Sequence, residues 1–486
     1  MEFKRNVAWC RNKRPVIFAD GTFANSVTMN PWAYVEGDTV YLFYAGDKPD
    51  GHRQIRLATA PVSDPEDFTF RGIVVDNSDV YGSFDYSWCV LPHVVRLPDG
   101  TYYMLYSGNR GYGVGLASFP GIGVATSKDL IHWKKYENNP VIVPGGEYDY
   151  PLIGIAGGGL VCEDRGGGKF RLHLYYTGCP THGDNIFLNQ QKVTCYTYSD
   201  DGINWEYQGI VRTRSTKIEY EDIATASGNV IRDEDGLWRS WYSAIGTRWG
   251  VYSICYSESS DGIHWTRGER LGENLALAPE VRDIGETDFL PWRERWQDQS
   301  VSYPTVIRTG NGYRMYYSGN DYGSGGIGTA VSSPMRIALT GEEHGKAKMW
   351  MTGDDELYRL MVFGSVSAGD LGELDLYGHQ EGFTHSGSVY FEEFPGRDGA
   401  SLFSLRAIAV HEKDGVRIDI FAENRSASSL GMITVRIDLG KAPVTMSSSD
   451  ADISCADSFC TVPLGELGGK STVCKHLHML PSANNA

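Results

Sequence analysis

Short apolar runs rich in tyrosine recur along the first two thirds of the chain, each closed by a small residue. Runs of this length and composition are typical of buried or half-buried β-strands. Five of them are versions of one strand: VYLFYAG (40–46), YYMLYSG (102–108), RLHLYYTG (171–178), RSWYSA (239–244) and YRMYYSG (313–319). Their shared tyrosines, at 44, 106, 176, 242 and 317, are spaced by 62, 70, 66 and 75 residues. A repeat of this length with four strands per unit predicts the blades of a β-propeller.

Turn motifs flank these runs. Four units carry an upstream strand that ends in a glycine-containing turn, which predicts a hairpin into the tyrosine-rich strand: 91–100, 158–168, 228–236 and 303–312. Three units carry a downstream Ser-x-Asp-x-Ile-(His/Asn)-Trp turn: 127–133, 199–205 and 259–265. This turn resembles the Asp-box of sialidase-like propellers, in which Asp caps the hairpin and Trp packs between blades. Because it recurs, we interpret it as structural.

The fifth unit lacks its outermost strand. It stops after GGIGTAVSS (325–333), whereas residues 8–18 align with the outer-strand segment 132–143. We therefore expect residues 7–18 to close blade five and so to remove an open sheet edge. The predicted fold class is all-β, a five-bladed β-propeller over 1–335 followed by a C-terminal β-sandwich domain over 336–486, where alternating strand-like runs continue.

Composition and charge narrow the function. Glycine accounts for 58 of 486 residues and aromatic residues for 12%, as expected for strands joined by tight turns. A net charge of −17 disfavours nucleic acid and anionic membranes as partners. The N-terminus lacks a signal-peptide core and no stretch is long enough to span a membrane, so we expect a soluble cytoplasmic protein. The nine cysteines have no framework spacing, so all are expected to be free thiols.

The loops that enter the innermost strands share an aromatic residue followed by an acid. In a propeller these loops open at the same mouth as the loops between second and third strands, which makes that face the candidate site. The acids are Asp85, Asp149, Glu221, Asp222 and Asp298, while blade one has Ala24. Carboxylates that converge on one axis perturb each other's pKa, which can place a general acid beside a base. The alternative is that each acid caps the start of its own strand by accepting backbone N–H bonds.

Residues that break the repeat are the candidates for substrate binding. They combine amide, imidazole, guanidinium and indole groups: Asn30, His93, Arg110, His182, Arg248, Trp249 and Asn320. Such groups supply donors, acceptors and a flat apolar face, which suits the hydroxyl groups and ring of a sugar. For Asn30 and His93 the alternative is hydrogen bonding inside a strand.

The aromatic-acid entry, the tyrosine-rich strand and the Asp turn together resemble the five-bladed glycosidases of glycoside hydrolase families 43, 32 and 130, over residues 1–335. The resemblance implies hydrolysis or phosphorolysis of a glycosidic bond by carboxylates around the axis. The catalytic triad of family 43 does not carry over. Asn30 precedes Pro31 where that family has its Asp base, His93 stands for the Asp that follows Pro, and 155–161 lacks the Glu acid.

From these residues we expect a glycoside hydrolase acting on a small glycan or an exposed glycan terminus. Asp149 and Asp298 are the leading acid and base candidates, and Glu221 or Asp85 would adjust their pKa. The distance between the two carboxyl groups would distinguish inversion from retention. A phosphorylase or transferase that holds an anion with Arg110, His182 and Arg248 is one alternative, and a non-catalytic carbohydrate-binding propeller is another.

No cofactor and no metal is expected. His476 and His478 lie near Cys474, but their i, i+2 spacing only places both imidazoles on one face of a strand. A homo-oligomer formed through the C-terminal domain is a possible further partner interaction.

Overall fold

A computed structural model describes the following parts of the chain: residues 8–12, 15–18, 27–111, 118–144, 152–180, 192–218, 220–247, 250–267, 274–277, 279, 300–309, 312–333, 336–341, 348–351, 362–363, 365–367, 373–375, 388–391, 403–412, 415–424, 429, 432–438, 444–449, 452–456 and 459–481. Within these ranges nearly every regular element is a strand, and the helix there is the four-residue α1 (Asn320–Gly323). The predicted all-β class is therefore confirmed. No helix in the described part of the chain has the length and apolar character needed to cross a bilayer.

The chain divides into two compact units. Besides Met1, the first unit holds Arg14–Thr266 and Ala278–Thr329. The second holds Glu2–Lys13, Arg267–Leu277 and Ala330–Ala486. With strands numbered along the chain, β1 (Ala8–Asn12) and β18 (Leu275–Leu277) belong to the second unit, and β21 (Gly326–Ser333) runs from the first unit into the second.

The first unit repeats one strand arrangement. Within the described residues each repeat is an antiparallel meander of successive strands, as hairpin turns between sequential strands require. The sets are β2 (Thr28–Glu36), β3 (Thr39–Asp47), β4 (Arg53–Pro61) and β5 (Thr69–Val75); β6 (Trp88–Arg96), β7 (Tyr102–Asn109), β8 (Gly121–Ser127) and β9 (Trp133–Lys135); β10 (Leu152–Gly166), β11 (Lys169–Pro180), β12 (Val193–Ser199) and β13 (Glu206–Arg212); β14 (Ala224–Arg232), β15 (Trp238–Ile245), β16 (Tyr252–Ser259) and β17 (Trp265–Thr266); and β19 (Val301–Thr309), β20 (Gly312–Gly319) and the first half of β21. We call them sets one to five. The exact number of propeller blades stays a prediction.

The repeated tyrosine-rich runs form the second strand of each set, and these strands are the core. β7 and β15 are buried along their whole length, and Tyr106, Tyr176, Tyr242 and Tyr317 are almost fully buried. A continuous apolar cluster links sets one, two and three through Phe43, Leu105 and Leu174 among others. Burial of these large side chains is the main favourable term that holds neighbouring sets together.

The three Asp turns have the structural role predicted for them. The Asp129 carboxylate accepts the backbone N–H groups of Ile131 at 2.9 Å and His132 at 2.8 Å, and Asp201 and Asp261 make the same bonds in their own turns. Side-chain and backbone bonds from His132 lower the pKa of Asp129 well below its usual value. The following Trp133 meets the Phe43 ring of set one edge-on at 5.7 Å, so this tryptophan packs between sets.

Small hydroxyl groups of the second strands tie each set to the next. Ser107 accepts the Gly157 N–H at 2.7 Å, and Ser318 accepts the Asn30 N–H at 3.1 Å. Ser243 likewise accepts the N–H of Tyr303 at 2.8 Å. Each of these serines directly follows the repeated tyrosine. The Tyr-Ser pair that recurs in these strands therefore marks a hydrogen bond between sets.

Removing one of these ties is expected to destabilise the protein. Ser243→Ala removes the buried hydroxyl that accepts the partly buried N–H of Tyr303, which costs about 1–3 kcal/mol of unfolding free energy. Chemical denaturation monitored by fluorescence measures the change. Ser302→Ala is the matched control, because the Ser302 hydroxyl is equally buried and has no hydrogen-bond partner among the described residues. Equal losses in the two variants would contradict the prediction.

The second unit is also built from strands: β1 and β18 above, with β22 (Arg336–Gly341), β23 (Lys348–Met351), β24 (Val362–Phe363), β25 (Ser365–Ser367), β26 (Glu373–Asp375), β27 (Ser388–Phe391), β28 (Phe403–Glu412), β29 (Gly415–Asn424), β30 (Met432–Asp438), β31 (Val444–Ser447), β32 (Ser454–Ala456), β33 (Phe459–Glu466) and β34 (Thr472–Pro481). One sheet has the order β1-β28-β29-β34-β31, and another has β24-β23-β22-β30-β33-β32. The predicted β-sandwich stays a prediction. β1 also pairs antiparallel with the last residues of β21, Ala8 opposite Ser333. The closure of blade five by the N-terminal strand stays a prediction.

The expectation that all cysteines are free thiols is wrong. Cys455 and Cys460 form a disulfide across the β32–β33 hairpin. The two residues are direct partners in this hairpin, with Cα atoms 4.0 Å apart, so the strand pairing itself brings their sulfurs together. The spacing of the cysteines along the sequence did not show that these two residues lie opposite each other in a hairpin. Buried Cys89 and Cys195 are thiols that form no disulfide.

Candidate functional site

A bulge interrupts the innermost strand of every set in the first unit at the same place. At each bulge the inner strand has one residue more than its partner strand, which bends the strand and redirects its side chains. The register shifts fall between Met29 and Trp32, Val90 and His93, Ala156 and Gly159, Ala226 and Asn229, and Ser302 and Thr305. The five bulges bring the residues inside them to one central place.

Local sequence explains the bulges. Asn30, Leu91 and Tyr303 open three of them with left-handed backbone, at φ of 54°, 54° and 52°, and each precedes a proline, whose missing N–H suits a position that a bulge leaves outside the ladder. In set four, Gly228 occupies the position that these prolines have in sets one, two and five. A Cβ there would lie 2.0 Å from the Trp241 carbonyl oxygen, so glycine is required. Left-handed asparagine, leucine and tyrosine are strained, and such strain concentrates at functional sites.

The bulges enclose a pocket, here called the axial pocket. All five inner strands line it: Asn30, Pro31 and Trp32 from β2, Leu91 and His93 from β6, Gly157 and Gly158 from β10, Gly228 and Asn229 from β14, and Tyr303 and Pro304 from β19. It contains about 270 Å³ of free space, including its open end. Two residues predicted to bind substrate, Asn30 and His93, are thus brought together although 63 positions separate them.

Several polar groups in this pocket are buried without a hydrogen-bond partner among the described residues. Asn30, His93 and Asn229 are 3%, 5% and 3% exposed. Among the residues that the structure describes, none bonds to the two amide atoms of Asn30, the two ring nitrogens of His93 or the Oδ1 atom of Asn229. An unpaired buried polar group costs about 1–3 kcal/mol, so these groups call for a partner such as an ordered water or a bound ligand.

His93 is a neutral group in this setting. Burial lowers the pKa of its imidazole to about 3. The ring meets the Trp32 indole edge-on, with centroids 4.8 Å apart, and its Nε2 atom lies so close to Gly157 that a Cβ there would be 2.5 Å away. A neutral imidazole offers one donor and one acceptor. The described lining of the pocket therefore presents neutral donors and acceptors beside an indole.

Two of the predicted catalytic acids are buried in the segments before the inner strands and do not line the axial pocket. Asp85 is buried and accepts bonds from the Tyr106 hydroxyl at 3.1 Å and the Lys135 ammonium at 2.6 Å. Glu221 is fully buried and accepts the Tyr242 hydroxyl at 2.7 Å. Both acids thus bind the repeated tyrosine of their own set. This geometry supports the structural alternative for them, with tyrosine hydroxyls as the donors in place of backbone N–H groups.

Other predicted site residues are placed as follows. Asp222 is partly exposed and accepts the backbone N–H and the hydroxyl of Thr247, at 2.7 and 2.8 Å. The Asn320 side chain accepts the N–H of Ser300 at 3.1 Å. Arg110 is half-buried and does not line the axial pocket. Asp149, His182, Arg248, Trp249 and Asp298 lie outside the described residues.

Sequence reasoning missed Asn229 and Tyr303. Tyr303 is the first bulge residue of its strand, as Asn30 and Leu91 are, and Asn229 is the first paired residue after its bulge, as His93 is. This correspondence is set by the strand pairing. Within the described residues there is also no group of three His, Cys, Asp or Glu side chains arranged to hold a metal ion.

Known proteins resemble this chain in fold and sequence. Residues 88–326, a little under half of the chain, match the family model of the glycosyl hydrolases family 32 N-terminal domain. The uncharacterized protein Rv1502 of Mycobacterium tuberculosis is 24% identical over 310 residues, which are 61% of this chain and 89% of that protein.

Two solved structures are similar to this chain in fold. One structure comes from work stating that the GH130 family of mannoside phosphorylases contains glycoside hydrolases that target beta-1,2 mannosidic linkages in Candida mannan. Its sequence is 16% identical to this chain, and the alignment covers 68% of this chain and 95% of that one, with a TM-score of 0.50. A glycosyl hydrolase from Bacteroides ovatus is 16% identical, with the same coverages and a TM-score of 0.48.

The first unit resembles propeller-type glycosidases in fold. At 16% identity the structural similarity shows the fold alone, and the family model adds a sequence similarity to the glycosyl hydrolases family 32 N-terminal domain over a little under half of the chain. The resemblance predicted from the repeats is confirmed.

Proposed function

We propose that the protein is a glycoside hydrolase that acts on a small glycan or an exposed glycan terminus and receives the terminal sugar in its axial pocket. The observation that carries this proposal is the convergence of Asn30, His93 and Asn229, buried and with unpaired polar atoms, in one pocket. Sugar hydroxyl groups both donate and accept hydrogen bonds, so a neutral amide and a neutral imidazole can each pair with them.

The described lining of the axial pocket favours an uncharged sugar unit. No charged side chain occurs among the described lining residues, and His93 stays neutral because burial lowers its pKa to about 3. A buried carboxylate or phosphate of the ligand would meet no opposite charge there, which is costly. The Trp32 indole adds an apolar face.

The groups that break the glycosidic bond would come from the loops that precede the inner strands in the sequence. Hydrolysis requires one protonated and one ionised carboxyl group on opposite sides of the scissile bond. Asp149 and Asp298 are our candidates for this pair. Asp85 and Glu221 are assigned a supporting role instead, because each binds a buried tyrosine.

One observation favours a second candidate function, carbohydrate binding without catalysis. The described lining of the axial pocket contains no carboxylate. A propeller that holds a sugar with amide and imidazole groups needs none. The binding and the catalytic proposals share the pocket and differ only in the entry loops.

A product assay separates these functions. The full-length protein is incubated with cellobiose, xylobiose, lactose and β-1,2-mannobiose, the last chosen because of the linkage reported for the GH130 structure above. Each sugar is tested with and without inorganic phosphate. Free monosaccharide without phosphate supports hydrolysis, and a sugar phosphate formed only with phosphate supports phosphorolysis. Calorimetric binding with no product after long incubation supports the binding propeller. Absence of binding and of product for all four sugars contradicts the proposal.

Asn30→Gly is expected to weaken sugar binding by about tenfold to a hundredfold without a loss of stability. The change removes an amide worth about 1–3 kcal/mol when it bonds to a sugar hydroxyl. Glycine tolerates the left-handed φ of 54°, and the lost side chain has no described partner in the free protein. Calorimetry measures affinity and urea unfolding measures stability. The exposed Asn138→Gly serves as the control. Unchanged affinity in Asn30→Gly would argue against the pocket.

A further inference from the structure

Three tyrosine rings form a wall next to the axial pocket. Tyr303 lines the pocket, and its ring centroid lies 5.8 Å from that of Tyr252 and 6.1 Å from that of Tyr322. Tyr252 and Tyr322 also meet directly, in an edge-to-face contact at 5.7 Å. Each ring thus contacts the other two, and we call Tyr252, Tyr303 and Tyr322 the tyrosine wall. Aromatic groups that contact one another in this way hold a common orientation.

Tyr322 is the solvent-exposed residue of the tyrosine wall. It is 46% exposed although it is a large aromatic residue, whereas Tyr252 is 4% exposed. Its backbone is left-handed at φ 62°, which is unfavourable for a bulky side chain. The next residue, Gly323, would place a Cβ 2.1 Å from the Thr28 carbonyl oxygen, so the turn is packed closely against β2. The strained turn therefore holds an exposed aromatic ring in a defined place.

Lys192 supports the wall from behind. Its ammonium donates to the Tyr252 hydroxyl at 2.6 Å and lies 5.2 Å from the centre of that ring. This bond satisfies the polar end of Tyr252 and holds its ring edge against Tyr322. The exposed face of Tyr322 is thus backed by a ring that is itself hydrogen-bonded. Such a support makes the wall a preformed surface, which lowers the entropic cost of binding.

We propose that the tyrosine wall is the binding subsite for the second sugar unit of the substrate, with Tyr322 as the residue that contacts this unit. The inference rests on the proposed function. Tyr303 lines the axial pocket and its ring contacts the exposed ring of Tyr322, so a second unit that leaves the pocket along Tyr303 would meet Tyr322. The apolar C–H face of a pyranose ring packs on a flat aromatic ring, while its hydroxyl rim remains available to phenol and solvent. The substrate class that this geometry selects is therefore an oligosaccharide of at least two units.

The test compares monosaccharide and disaccharide affinities in the full-length protein. Glucose, xylose and mannose are titrated against cellobiose, xylobiose and β-1,2-mannobiose by calorimetry. For the sugar type that binds, we expect the disaccharide to bind at least about tenfold more tightly than its monosaccharide, as a stacked ring is worth on the order of 1.4 kcal/mol. In Tyr322→Gly this advantage should fall to less than about twofold, while monosaccharide affinity is retained. Glycine is chosen because it accepts the φ of 62°.

Two further variants complete the design. Tyr322→Phe keeps the ring and should keep the advantage, which separates stacking from a bond to the hydroxyl group. Tyr81→Ala removes another exposed tyrosine of the same unit, 77% exposed and outside the wall, and should change nothing. A disaccharide advantage that survives in Tyr322→Gly overturns this inference while the proposed function stands. Failure of every sugar to bind the unmodified protein overturns both.

Discussion

Asp298→Asn is expected to lower the turnover of a glycoside substrate by about a hundredfold to ten-thousandfold, the usual contribution of a positioned general acid or base. Asparagine keeps the size of the side chain but cannot exchange a proton. Asp149→Asn should have an effect of the same order, because acid and base are both required. Initial rates on the disaccharide that proves to be the best substrate, measured at saturation, check both variants.

Asp298 is chosen by comparison with the acids that precede the inner strands of sets two and four. Asp85 and Glu221 each lie six positions before the first bulge residue of their strand, and both bind the repeated tyrosine. Set five has Gln297 at that register. Asp298 lies five positions before Tyr303, as Asp222 does before Ser227, and Asp222 does not bind the tyrosine. We infer that Asp298, like Asp222, is not the acid that binds the repeated tyrosine of its set.

Asp149 differs from the acids of the other sets in its distance from the bulge. It lies eight positions before Gly157, so the loop of set three is two residues longer after its acid than the loop of set two. Asp200→Asn is the matched control for both variants, because Asp200 is an exposed acid paired with Arg171 in an outer turn. Wild-type turnover in both the Asp149 and the Asp298 variants would reject their assignment as acid and base.

Acid is expected to destabilise the protein through His93. In the unfolded chain this imidazole takes up a proton near the ordinary histidine pKa of 6.5, whereas in the folded protein burial lowers the pKa to about 3. Between these values the unfolded state binds more protons, so stability rises with pH and is lost as pH falls below 6.5. The slope from this group is about 1.4 kcal/mol per pH unit. From pH 6.5 to pH 4.5 we expect a loss of about 2–3 kcal/mol from His93 alone.

The measurement is urea unfolding at several pH values in this window, with His93→Gln as the comparison. Glutamine is neutral throughout, so the variant should show a shallower dependence on pH by the amount assigned to His93. Other acids and histidines contribute equally to both proteins and cancel in the difference. Identical pH slopes for the two proteins would contradict the assignment. Sugar binding should also show no decline from His93 protonation above about pH 4.

Local features were predictable from the sequence. The Asp129 turn follows from spacing alone, because its carboxylate bonds to backbone N–H groups two and three residues ahead. The strand containing Tyr106 follows from its apolar run. In contrast, the partner of Asp85 is Tyr106, 21 positions away, and that of Tyr303 is Ser243, 60 positions away. No local pattern encodes which acid a distant hydroxyl group will bind.

The order of residues along the chain thus determined the strands, their hairpins, the repeat and the relationship to propeller glycosidases, because each depends on contacts within a few positions or on a regular period. Tertiary structure alone decided which polar groups share the axial pocket. Asn30, His93 and Asn229 meet there only because a bulge in each inner strand bends its backbone toward a common centre and removes their side chains from water. Burial of this kind depends on how whole sheets pack, and it also separates the scaffold acids Asp85 and Glu221 from that pocket.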